Sequence, residues 1–260
     1  MRVSVDGRGP FAVVMVGLVA LAWLTLWVWG NSPYARLLSH DAAAAAGGGA
    51  WLGLAFVGGW TLMIVAMMLP SSLPLVLMFS ALTRRRADSA QLVILLLFGY
   101  LSTWSVFGAV VHASDLGLHA VVNQVDWLAA HAWLVSAVTL AGAGAYQFSS
   151  LKYRCLEKCR SPLSFITEHW RGRDERGQAF VLGVHHGLFC VGCCWLLMLV
   201  MFAVGVGSLG WMLGLGAIMA LEKNVPWGRR LSTPIGAVLL ASALAVAAWA
   251  VLGLPALEVG

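Results

Sequence analysis

The chain has 260 residues, of which 60% are hydrophobic and only 10% are charged. Since soluble domains carry about 25% charged residues, this composition excludes an ordinary soluble domain and indicates a polytopic membrane protein. The net charge of +5 does not indicate a nucleic-acid partner, because the basic residues lie in the loops between apolar runs. The five cysteines are an odd number, which argues against a secreted disulfide framework.

Seven apolar runs approach the roughly 20 residues that cross a bilayer as a helix. We therefore predict an all-α fold, a polytopic transmembrane helical bundle of about seven spans that forms a single domain over residues 1–260. The sixth run is short, so a re-entrant or tilted segment is an alternative there. The runs are 11–29, 52–79, 91–112, 131–149, 179–204, 207–222 and 234–254.

The positions of Lys and Arg predict the orientation, because loops rich in these residues stay on the cytoplasmic side. In the seven-span topology, all of the 16 Lys and Arg residues except Arg36 lie on the same side as the N-terminus. We therefore predict an inner N-terminus and an outer C-terminus.

In the second run, Met67 and Met68 come shortly before Pro70 and Pro74. Each proline removes a backbone donor, so the helix should kink, and the carbonyl four residues before each proline needs another partner. Pro70 and Cys190 each lie about 12 residues from the inner end of their runs, a depth of roughly 18 Å. We therefore expect the kink to bring Met67 or Met68 to the cysteines of the fifth run. A simple bend with methionine as gap filler is the alternative.

The third run ends in a polar segment with His112, Asp115 and His119 at i, i+3 and i+7, and Asp126 and His131 follow. This pattern fits an outward metal-collecting site. We favour the more ordinary interpretation, a polar loop with unremarkable histidines.

The loop before the fifth run carries Cys155 and Cys159, one helical turn apart on one face. Neighbouring Lys and Arg residues should lower the pKa of these thiols. We expect a docking pair near the membrane surface, separate from the deeper Cys190, unless the basic loop folds inward.

The fifth run holds the most distinctive pattern. His186, Cys190, Cys193 and Cys194 share a stripe about 100° wide on a helix, whereas His185 points away. Thiolates with imidazole suit Cu(I), zinc or an iron–sulfur centre. The alternative is that these cysteines pack as small hydrophobic residues. We predict a metal site centred on this stripe.

Glu222 closes the sixth run, beside Lys223. A carboxylate at this position usually pairs with a Lys or Arg side chain, and a metal or proton role is the alternative. We expect Glu222 or Gln147 to accept a hydrogen bond from the ring of His186.

Four stretches occur together and in order, and they resemble an uncharacterised bacterial family of integral membrane proteins that are predicted to bind metal. The resemblance covers about residues 55–230, and it implies a multispan helical protein of the bacterial inner membrane with a metal site. The stretches are 67–74, 146–162, 186–198 and the pair Glu222–Lys223.

The function that these patterns favour is a metal-binding membrane protein that handles, inserts or moves the ion, or serves as the metal-bearing subunit of a complex. Copper is favoured over zinc or iron because cysteine and methionine are soft ligands. Its partners would be the lipid bilayer and a metallochaperone or another membrane protein. The candidate ligands are His186, Cys190, Cys193, Cys194, Cys155, Cys159, Met67, Met68 and Glu222.

Two other functions remain open. The first is a membrane thiol–disulfide oxidoreductase coupled to quinone, with the cysteines of the fifth run as its active pair and Cys155 and Cys159 as its relay. Against it, both groups lie towards the reducing inner side, where stable disulfides are rare. The second is a structural or assembly subunit that binds no metal.

Overall fold

A computed structural model describes residues 9–32, 50–171, 174–204 and 209–252. Every regular element in these residues is a helix, which confirms the all-α prediction. In chain order the elements are α1 (Gly9–Gly30), α2 (Ala50–Met67), α3 (Leu69–Thr83), α4 (Ser89–Gln124), α5 (Asp126–Ala130), α6 (Trp133–Tyr146), α7 (Ser150–Arg160), α8 (Pro162–His169), α9 (Glu175–Val204), α10 (Leu209–Asn224), a 3₁₀ turn (Gly228–Leu231) and α11 (Ser232–Val251).

Four segments of the described chain are long and apolar enough to cross a membrane, and a fifth is counted if α2 and α3 form one broken span. The predicted count of seven is therefore not supported. The α6 helix has only 14 residues and α10 only 16, which correspond to lengths of about 21 and 24 Å against a hydrocarbon core of about 30 Å. The four segments are Ala12–Gly30, Ser89–Gln124, Glu175–Met201 and Gly228–Val251.

The predicted kink lies between α2 and α3, which meet at 68° around Met68. Pro70 is in the first turn of α3, where its missing N–H removes the donor that would have served Ala66. The indole of Trp23 in α1 instead donates a hydrogen bond to the Ala66 carbonyl, at 3.0 Å. The neighbouring helix α1 thus supplies the hydrogen bond that the Ala66 carbonyl loses at the break.

The α4 and α9 helices cross with their backbones in contact at two glycines. A Cβ atom on Gly99 would clash with the carbonyl oxygen of Phe180, and one on Gly183 would clash with that of Leu96. Small residues permit this close approach between helices. The crossing fixes the face of α9 that carries the cysteines against α4.

Two hydrophobic clusters flank this crossing. The first surrounds the cysteines of α9 and contains side chains from α1, α2, α4, α6, α7, α10 and α11. The second lies near the Glu175 end of α9, where Phe165 and Ile166 of α8 are buried against α3, α4 and α9. The short helix α8 is therefore part of the packed structure.

We predict that Gly183→Ala destabilises the protein by about 1–3 kcal/mol, the usual cost of overpacking, because the new methyl group forces α4 and α9 apart. Thermal unfolding of the detergent-solubilised protein measures this effect. The matched control is Gly117→Ala in α4, where a Cβ meets nothing within 4 Å. That change should be neutral or stabilise the helix by up to about 1 kcal/mol. Equal midpoints for the two variants would contradict the close crossing.

Candidate metal centre

Of the five cysteine thiols, that of Cys190 makes the most contacts with side chains of other helices. It is completely buried, with its sulfur 3.2 Å from the hydroxyl oxygen of Tyr100 in α4. It also accepts a hydrogen bond from the Lys223 ammonium of α10 at 2.9 Å. Lys223 is itself buried and donates a second bond to the hydroxyl of Ser71 at 3.2 Å. Three helices thus meet at one sulfur atom.

Met68 brings a thioether to the same place, at the break between α2 and α3. Its sulfur lies 3.9 Å from the Cys194 sulfur and 3.8 Å from the Lys223 ammonium. The expectation that Met67 or Met68 would reach the cysteines is therefore confirmed for Met68. Met67 is also buried, and it packs against Gly216 of α10.

The thiols of Cys193 and Cys194 both donate to the backbone carbonyl of Cys190, each at 3.0 Å. Such bonds to a carbonyl three or four residues earlier are the local option that a helix offers to a short polar side chain. In the part of the chain that the structure describes, no group of three or more His, Cys, Asp or Glu side chains is arranged, as it stands, to hold a metal ion. The thiols are adjacent, but they are bonded to their own helix and to Lys223.

The α7 helix folds inward against α9 and carries Cys155 and Cys159 to the same cluster. The Cys155 sulfur lies over Gly192, where a Cβ atom would be only 2.6 Å away. The Cys159 thiol interacts with the thiols of Cys190 and Cys193. The expected separation of this pair from the deeper cysteines is therefore not found, because the basic loop folds inward, which is the exception that the sequence left open.

The surroundings of these two thiols also reverse the expected shift of their acidity. Hydrogen bonding to the thiols of Cys190 and Cys193, followed by burial, raises the pKa of Cys159. Burial is the main cause that raises the pKa of Cys155. The nearby basic residues do not lower either pKa, since Lys152 and Lys158 are engaged with Glu222 and Glu168.

His186 lies beside the cluster with a different partner from the one expected. Its Nε2 is 3.2 Å from the hydroxyl of Ser72, and its ring stacks on Tyr100 with 5.6 Å between centroids. Its Nδ1 is buried with no hydrogen-bond partner in the described structure. The expectation that Glu222 or Gln147 would accept from this ring is wrong, because Ser72 occupies that role.

Residues 57–246 match the sequence model of the PpoB2 family, which is described as a copper chaperone. The chain belongs to the PpoB2 copper chaperone family. No curated protein and no solved structure matches it. The matched range contains all nine candidate ligands, so membership supports a copper-handling role and agrees with the metal-related resemblance and the preference for copper.

In this PpoB2 chain, Glu222 belongs to a buried polar network rather than to the thiol cluster. Lys152 of α7 donates to both carboxylate oxygens, at 2.8 and 2.9 Å, and Ser232 of α11 donates at 2.7 Å. Lys152 also bonds the side-chain oxygen of Gln147. The ordinary interpretation of Glu222, pairing with a Lys, is confirmed. The network fixes the end of α10, where the next residue is Lys223.

Sequence reasoning missed Lys223 and Tyr100, which contact the Cys190 sulfur. It also missed Ser72 as the partner of His186 and Lys152 as the partner of Glu222. Lys152 was counted only as a topological charge, and Lys223 was considered only beside Glu222. A signal existed for Lys223, because an ionisable residue next to an apolar run is a functional candidate. Tyr100 and Ser72 gave no such signal, since their positions depend on how the helices cross.

The segment that begins at His112 combines ring contacts with two unpaired atoms, since the Nδ1 of His112 and the Oδ2 of Asp115 are buried with no hydrogen-bond partner in the described structure. His112 stacks on Phe56 with ring centroids 4.5 Å apart. His131 stacks on Trp127, and its Nδ1 bonds the carbonyl of that residue at 2.7 Å. Asp115 and His119 line a cavity of about 470 Å³ between α4, α6 and α9, and most of the other lining residues are apolar.

We predict that Lys152→Met destabilises the protein by about 3–5 kcal/mol, because it leaves the Glu222 carboxylate buried without its counter-ion. The double variant Lys152→Met/Glu222→Leu removes both charges and should recover most of that loss. Chemical or thermal unfolding in detergent provides the comparison. A double variant no more stable than the single one would show that the ion pair is not what the fold requires.

Proposed function

We propose that the protein is a membrane-embedded chaperone that binds Cu(I) at the sulfur cluster of α9 and passes it to a partner membrane protein or metallochaperone. The observation that carries this proposal is the approach of the Met68 thioether to within 3.9 Å of the Cys194 thiol, beside Cys190. Thiolate and thioether together are soft ligands that select Cu(I). The family match supports the same metal.

The ion would be held by thiols that are already neighbours. Cys190, Cys193 and Cys194 supply sulfur from α9, and Cys159 contributes from α7. Rotation of the thiols away from the Cys190 carbonyl would turn them into ligands. The buried Nδ1 of His186 is the nitrogen donor next along α9. These ligands cost little rearrangement, since α9 itself need not move.

Lys223 accounts for the stability of the thiol cluster when no copper is bound. A buried anionic sulfur is expensive unless a cation compensates it, and the Lys223 ammonium lies 2.9 Å from the Cys190 sulfur. Cu(I) carries the same charge and would replace the ammonium there. Loading would therefore exchange one buried cation for another, with Ser71 retaining Lys223 nearby.

All five cysteines are free thiols, which supports metal handling more than a disulfide relay. Cys159 is only half-buried, unlike the four other thiols. It is therefore the thiol that an incoming partner would reach first. Ligand exchange through Cys159 would move the ion between the partner and the deeper sulfurs.

We predict that Cys190→Ser/Cys193→Ser abolishes sulfur-bound copper. The double variant removes two soft donors from the centre of the cluster, whereas Cys155→Ser removes a thiol that faces Gly192 and should retain most of the copper. After anaerobic Cu(I) loading against a competing chelator, elemental analysis gives the copper content and X-ray absorption gives the copper–sulfur signal. An unchanged copper–sulfur signal in the double variant would leave simple packing as the better explanation of the stripe.

The proposed site fits a chain that crosses the bacterial inner membrane with its basic loops inside. The broken pair α2–α3 and the short helices α6 and α10 would then complete the seven crossings. We predict that reporters fused after Arg86 and Gly177 are cytoplasmic and that one after Gly260 is external. A cytoplasmic reporter at the C-terminus would remove one crossing, and α10 is the first candidate because of its length.

A further inference from the structure

We infer that His169 and His185 form a second, nitrogen-only Cu(I) site at the Glu175 side of the thiol cluster, where the ion binds before or after the sulfur ligands. The inference rests on the proposed function for the identity of the ion and for its direction of travel. The site itself rests on the positions of the two rings.

The two histidines come from different helices and meet edge to face. His169 is the last residue of α8, and His185 lies in α9. Their ring centroids are 5.0 Å apart, with 69° between the ring planes. Two metal–nitrogen bonds of about 2 Å each span about 4 Å between donor atoms. The ring spacing is therefore compatible with one nitrogen of each ring on a single ion once the rings turn towards it.

His185 offers a nitrogen that the protein leaves without a partner. Its Nδ1 is buried and makes no hydrogen bond within the described structure. An unsatisfied buried polar atom costs about 1–3 kcal/mol, and most such atoms have a partner. A metal ion is the partner that an unprotonated imidazole nitrogen accepts.

His169 is held in the tautomer that a metal ligand needs. Its Nδ1 is 2.9 Å from the carbonyl oxygen of Phe165. A carbonyl oxygen only accepts, so Nδ1 carries the hydrogen and the Nε2 of the neutral ring keeps its lone pair. Donation of one ring N–H to a backbone carbonyl is the usual arrangement behind a metal-binding histidine.

The chemistry of two imidazoles selects the ion. Zinc in a structural site takes four ligands in a tetrahedron, whereas Cu(I) is stable with two nitrogen donors in line. A pair of histidines without a third ligand among the described residues therefore suits Cu(I), or its close mimic Ag(I), and binds Zn(II) weakly. Loss of the ion to stronger sulfur ligands is then favourable, because thiolates are the softer donors.

The pair is connected to the thiol cluster through one aromatic ring. Phe165 stacks on His169 with centroids 4.5 Å apart and touches the edge of His186 at 5.6 Å. His186 in turn stacks on Tyr100, whose hydroxyl contacts Cys190. His185 and His186 are consecutive, and each has a buried, unpartnered Nδ1. The histidine pair therefore lies beside His186, which stands between it and the thiol cluster.

The test uses the full-length chain with all five cysteines replaced by Ser, titrated with Cu(I) under anaerobic reducing conditions against a competing chelator. We expect one bound equivalent with two nitrogen neighbours in X-ray absorption and no sulfur. His169→Gln or His185→Gln in this background should abolish it. His131→Gln, which alters a ring stacked on Trp127, should not. A cysteine-free chain that binds no Cu(I), or full binding by the His185→Gln variant, would overturn the inference.

Circular dichroism and size-exclusion chromatography check that the cysteine-free chain folds. If it does not, the same titration of the wild-type chain after thiol alkylation gives the answer. The outcome is separable from that of the proposed function. A wild-type chain without copper–sulfur signal would refute the thiol site and leave the nitrogen site standing. A wild-type chain with that signal beside a folded cysteine-free chain that binds no Cu(I) would do the reverse.

Discussion

The arrangement of the protein depends on one buried ammonium group among sulfur atoms. Lys223 bonds the Cys190 sulfur at 2.9 Å and lies 3.8 Å from that of Met68. Burial of such a charge is costly unless its surroundings compensate it, so the end of α10 must be held in place. The preceding residue, Glu222, does this through Lys152 and Ser232. Two buried lysines and one carboxylate therefore tie α7, α9, α10 and α11 together.

The break between α2 and α3 supplies the opposite side of the cluster. Because Pro70 interrupts the helix, the chain turns by 68° and presents three groups in quick succession. The Met68 sulfur faces Cys194, Ser71 holds Lys223, and Ser72 holds the ring of His186. Met68, Ser71 and Ser72 are spaced i, i+3 and i+4, so they share one face of the chain at the break. The turn at Met68 sets the direction of that face, which meets Cys194, Lys223 and His186.

The sequence patterns predicted the features that depend on residues close together in the chain. The helical period placed the cysteines of α9 on one stripe, and the two prolines with a depth estimate placed Met67 or Met68 beside it. The errors concern tertiary pairing. Lys152 lies in a basic loop and was read as a topological charge, yet its bond to Glu222, 70 residues away, brings α7 inward with Cys155 and Cys159. The count of seven spans is not supported by helix length, because hydropathy does not show that α6 has only 14 residues and α10 only 16.

A copper chaperone must hold its ion firmly enough to load it and loosely enough to release it. A closed tetrahedral thiolate site favours retention, since every ligand is already in place. In this chain the donors are close but bonded elsewhere: Cys193 and Cys194 to the Cys190 carbonyl, and Cys190 to Lys223. Each of these bonds must break on loading and re-forms on release, which lowers the net affinity for copper. In the proposed function, the incomplete site is therefore what makes transfer to a partner favourable.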